Sequence, residues 1–75
     1  MKVYYDDEVD ALYLTLGDEA PEGVVEIAEG INVDTTSRGG LVGIEILNAS
    51  KKIDLKTILS YTLELHKDLM AQKTA

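Results

Sequence analysis

Along the first two thirds of the chain, apolar and polar residues tend to alternate one by one; in the last third the spacing changes to threes and fours. Leu12, Leu14 and Leu16 alternate with Ala11, Tyr13 and Thr15, and "KVYY" just before them is similarly rich in β-branched and aromatic residues. A period of two predicts strands with one face on a core. "DDEVD", Asp6 to Asp10, then falls where a hairpin loop belongs, because Asp side chains bond nearby backbone and favour turns. "GDEAPEG" holds two glycines and the sole proline, Pro21, and reads as a second loop. "VVEIAEGINVDTT" is strand-like except at Gly30, which predicts a bulge or short turn, with Val25, Ile27, Ile31 and Val33 facing inward. "SRGG" is a turn, and Val42, Ile44 and Ile46 alternate after it, so residues 31–47 read as a hairpin.

From Asp54 the apolar positions Leu55, Ile58, Leu59, Leu63, Leu65, Leu69 and Met70 follow helical spacing. Asp54 is placed to cap a helix over residues 54–70. Its apolar arc spans about 200°, wider than one core contact requires. The opposite sheet face would also carry apolar side chains, from Tyr4, Tyr13, Leu41 and Leu47. Two partly apolar surfaces predict a homodimer, with Tyr61, Thr62, Leu65, His66 and Leu69 as its candidate interface. Thr62 and His66 would be the polar pair that sets the register of two packed helices. The expected architecture is α+β: one domain over residues 1–75, with four to five antiparallel strands over residues 1–50 and one C-terminal amphipathic helix packed on the sheet.

The net charge of -7 is unevenly spread: residues 1–50 hold eleven acids against two bases, and residues 51–75 hold three acids against five. Nucleic-acid affinity rests on Lys and Arg neutralising phosphate, so this chain alone is unsuited to DNA or RNA. A basic partner protein fits its surface better. No stretch approaches the ~18 apolar residues of a membrane span, and the first residues lack a secretory pattern, which makes a soluble cytoplasmic protein the expectation. With no cysteine and one histidine, neither a disulfide nor a conventional zinc set is possible.

The acidic loop is too short and glycine-free to wrap a calcium ion as an EF-hand does. It reads as a solvated hairpin in which Asp10 bonds loop amides, with a small-ligand or cation site as the alternative. Glu45, mid-strand, must be exposed or paired, and Arg38 and Lys2 are the bases at hand. His66 has no orienting carboxylate on its own turn, and no serine or threonine has a base at an activating spacing. The chain is therefore expected not to be an enzyme and to need no cofactor.

"YDDEVDALYLTL" and "GLVGIEILNAS" together resemble the family of domains of unknown function numbered 2283. The family pattern falls on Tyr5, Asp6, Glu8, Asp10, Ala11, Leu12 and Tyr13, then on Gly43, Ile44, Glu45, Ile46, Leu47, Ala49 and Ser50. "VDTTSRGGL" departs from it, lacking the acidic Asp-x-Asp turn on which a cation role there would rest. The resemblance implies a β-sheet followed by a short helical segment, with no established activity. The resemblance also implies, by analogy with genes of this kind that often sit beside genes for small toxin-like proteins, an antitoxin-like role as the partner of a small basic protein. Asp6, Asp10, Tyr13 and Glu45 are the candidate partner contacts.

Overall fold

A computed structural model describes residues 1–60. The alternating segments form strands β1 (Lys2–Asp6), β2 (Ala11–Thr15), β3 (Gly23–Ala28), β4 (Ile31–Thr35) and β5 (Leu41–Leu47), followed by short helices α1 (Ala49–Lys52) and α2 (Leu55–Leu59). The strands make a five-stranded antiparallel sheet in the order β1-β2-β5-β4-β3, so the architecture is α+β. Consecutive hairpins join β3, β4 and β5, while residues 16–22 carry the chain from β2 to the far edge. β2 thereby comes to lie beside β5, a Greek-key arrangement.

Register places the apolar alternation on one face. Tyr5, Leu12, Ile46 and Ile31 lie side by side in one row, and Val3, Leu14, Ile44, Val33 and Val25 in the next. Leu12, Val33, Val42 and Ala49 are buried, Leu12 completely. Burial on the order of 25 cal/mol per Å² of apolar surface is what holds such a sheet to whatever covers it.

Two bulges break the simple parity of the sequence. Between β3 and β4 the partners run Glu26↔Asn32 and then Ala28↔Ile31, so Ile27 is the extra residue, and it is exposed rather than inward as its spacing predicts. Between β4 and β5 they run Asp34↔Gly43 and then Thr35↔Leu41, which makes Val42 the extra residue. Leu41 therefore sits opposite Thr35, on the face of Val33, and leaves the face of Tyr4 where alternation would put it. The carbonyl of Val42 accepts from both Leu16 and Gly17 amides, at 2.8 and 3.1 Å, fixing the end of β2 against the bulge.

The turns follow the expected chemistry. Glu29 and Gly30 join β3 to β4, with Gly30 at φ 74, and Gly39 takes φ 83 in the turn that Thr36 closes by bonding Gly40. Asp54 caps α2: its carboxylate accepts from the Lys56 amide and the Thr57 hydroxyl, each at 3.1 Å.

The helical region departs from a single helix starting at Asp54. α1 precedes it, and extended Ile53 at φ -136 separates the two. The expected helix beyond residue 60, with Tyr61, Thr62, Leu65, His66 and Leu69, lies outside the described residues. Among the described residues no helix is long and apolar enough to cross a membrane.

Candidate functional site

The acidic loop folds from two local preferences. Asp6 turns the chain, its Oδ1 accepting the Glu8 amide at 3.0 Å, and Asp10 ends the loop in the left-handed region at φ 54, which Asp tolerates better than branched residues do. The expected bonding of loop amides thus belongs to Asp6.

Asp10 does something else. Its Oδ1 accepts the Tyr5 hydroxyl at 2.7 Å and the Ser50 amide at 3.0 Å, and its Oδ2 accepts the Ser50 hydroxyl at 2.7 Å. Its backbone carbonyl accepts the Ala49 amide at 2.9 Å. Asn48, at φ 52, offers α1 no side-chain cap, so the first amides of α1 find their acceptors on the β1–β2 loop. The Ser50 hydroxyl, then Tyr5 and the Ser50 amide, hold the Asp10 carboxyl below its ordinary value, and the same carboxylate raises the Tyr5 phenol.

On the sheet face away from the apolar rows, Tyr4, Tyr13, Glu45, Asn32 and Glu26 lie in one row across all five strands. Lys2, Thr15, Gly43, Asp34 and Val24 form the next row. Gly43 has no side chain, and a Cβ there would collide with the Tyr13 ring and hydroxyl. The ring therefore crosses Gly43 and donates to Asp34 Oδ2 at 2.7 Å. This bond, and then partial burial, raises the Tyr13 phenol above its ordinary value. Beside it Asn32 Nδ2 donates to Glu45 Oε1 at 3.2 Å. Glu45 is thus partnered by an amide, while the expected base, Arg38, pairs at 3.0 Å with Glu19 across two exposed loops.

Tyr4, Asp6, Ala11, Tyr13 and Glu45 line a shallow depression of about 270 Å³ on this face. Three of the four candidate contacts, Asp6, Tyr13 and Glu45, are brought together here, and Asp10 is placed apart, at the anchor of α1. A second depression, about 290 Å³, lies around the Arg38–Glu19 pair. Among the described residues no three acidic, histidine or cysteine side chains converge in a way that would hold a metal ion.

A family model described as "Protein of unknown function (DUF2283)" matches residues 2–50. The chain belongs to this family. No curated protein and no solved structure matches it significantly. The DUF2283 match covers every described strand and the anchored start of α1, and it includes both polar networks, Tyr5–Asp10–Ser50 and Tyr13–Asp34 over Gly43. Residue-by-residue reading of the sequence missed Asp34, Gly43 and Ser50 as members of these networks, and Asn32 as the partner of Glu45. A usable signal was present for two of them, since Gly43 and Ser50 both fall on the DUF2283 pattern.

Proposed function

We propose that this DUF2283 protein is a non-catalytic protein-interaction module that binds a small basic protein, in the manner of an antitoxin, through its tyrosine and carboxylate face. One observation carries the proposal. The row of Tyr4, Tyr13, Glu45, Asn32 and Glu26, with the rows beside it, presents four acids, Asp6, Glu26, Asp34 and Glu45, and a single base, Lys2. Tyr4 is 55% exposed, so its ring is open to a lysine or arginine side chain, and neighbouring carboxylates supply the counter-charge. Tyr13 and Glu45 are held by their own hydrogen bonds, so little side-chain freedom remains to be lost on binding.

The test is native mass spectrometry of the protein isolated from its own cells, beside the recombinant chain alone. A basic protein at fixed stoichiometry is expected, with an affinity that falls as salt rises and weakens on Glu45→Gln, Glu26→Gln or Tyr4→Ala. Recovery of the chain without such a protein, or binding indifferent to salt and to all three substitutions, would refute the proposal.

A further inference from the structure

β3 is an edge strand, and among the described residues no strand lies on its outer side. Among these residues its outer row of backbone N–H and C=O groups has no partner strand, and its apolar side chains are exposed on both faces: Val24 by 65%, Val25 by 51% and Ile27 by 63%. Edge strands of soluble proteins are usually guarded by lysine, proline or charges spread along the strand. The other edge, β1, has Lys2 and Asp6 at its ends, whereas the only charge within β3 is Glu26. An open ladder combined with exposed β-branched residues fits another strand, and the placement of the nearby acids says which one.

We propose that β3 pairs antiparallel with β3 of a second copy, about a two-fold axis at Val25. In that register Val25 faces its own equivalent, Val24 faces Glu26 and Gly23 faces Ile27. Glu26, the one acid within the paired stretch, thus meets an apolar residue. Shifting the axis by one residue in either direction brings acids together, Glu26 on Glu26 in one case and Glu22 on Glu26 in the other, and directly opposed like charges destabilise a strand pair. The Val25 register also continues each sheet face into the partner, because paired residues share a face. It is a closed, self-complementary contact, as a two-fold dimer requires. The bulge at Ile27 bounds the ladder, so pairing is confined to about five residues and buries less than the ~1,200 Å² of a standard interface. The dimer is accordingly weak and concentration-dependent. Because each copy carries -7, screening their repulsion strengthens it, the reverse of what salt does to a basic partner.

The chain has no cysteine, so single-cysteine variants report the register directly. Sedimentation of the full chain at rising concentration should show a monomer–dimer equilibrium that shifts toward dimer with added salt. Under mild oxidation Val25→Cys should cross-link to a covalent dimer several-fold faster than Val24→Cys or Glu26→Cys. Val24→Glu, which sets a second carboxylate opposite Glu26, should dimerise less, and adding Glu26→Lys to it should restore dimerisation, with circular dichroism confirming that each variant is folded. A monomer at every concentration would overturn the proposal, as would a dimer that cross-links no faster through position 25 than through its neighbours; the second outcome would place any self-association elsewhere on the chain.

Discussion

Asp10 and Ser50 are 40 residues apart in sequence, yet the carboxylate of the first accepts both the amide and the hydroxyl of the second. This pair ties the first hairpin to the start of the helical region, and Tyr5 completes it from the neighbouring strand.

The pair makes stability depend on acid in a defined direction. The Asp10 carboxyl titrates below its ordinary 3.8 in the folded chain because Ser50 and Tyr5 donate to its ionised form. Its contribution is complete above the unfolded value and is lost as pH falls through the folded one. Asp10→Asn should lower the melting temperature at neutral pH and flatten the loss of stability on the acid side. Ser50→Ala should do less, since the amide bond survives. Thermal melts followed by circular dichroism between about pH 2 and pH 7 measure both effects. Equal acid profiles for wild type and Asp10→Asn would mean that the carboxylate contributes nothing.

Tyr13 lies across Gly43, and the two residues should therefore behave as one unit. Gly43→Ala should cost about 1–3 kcal/mol, because the new methyl displaces the ring and breaks the bond to Asp34. In a Tyr13→Ala background the same substitution should cost much less, and a double-mutant cycle in urea reads the difference.

The same tyrosine sets an alkaline limit. The Tyr13 phenol titrates above its ordinary 10.0 when folded, so its contribution is complete below that value and is lost as pH rises through the folded one. Tyr13→Phe should remove this alkaline step, observed by ultraviolet titration, and cost about 1 kcal/mol at neutral pH.

Leu12 is completely buried at the meeting of β1, β2 and β5. Leu12→Ala should destabilise by about 2–5 kcal/mol in urea unfolding, a large share of what a chain of this length holds in reserve. A loss under about 1 kcal/mol would show that this side chain is not central to the core.

At the helical end, Asp54→Ala should remove the cap of α2 and cost about 0.5–2 kcal/mol, seen as lost helical signal in far-ultraviolet circular dichroism.

What the sequence made legible was set by the range of the interactions involved. The alternation of Leu12 and Leu14, the hairpin over residues 31–47 and the cap at Asp54 depend on neighbours a few residues away, and pattern alone reveals them. Ile27 and Leu41 were misplaced because one inserted residue reverses parity, and no residue type marks a bulge strongly enough to reveal it. α1 was missed because its amides are met by a distant aspartate and not by a local cap. Tyr13 stood out in the sequence as a candidate, but its reach to Asp34 depends on a vacancy at Gly43 that only strand order brings beneath the ring.

The sheet order has a consequence for synthesis. β5 pairs with both β2 and β4, yet among the described strands it is the last to leave the ribosome. Until residues 41–47 emerge, the nascent chain can form at most two separate hairpins, each marginal alone and each with its apolar face in water. A chain stopped before Leu41 would lack the strand that joins them and would carry unpaired edges prone to aggregation. Folding of this protein is thus gated by its central strand, and truncation within β5 should abolish the fold where loss of an edge strand would only weaken it.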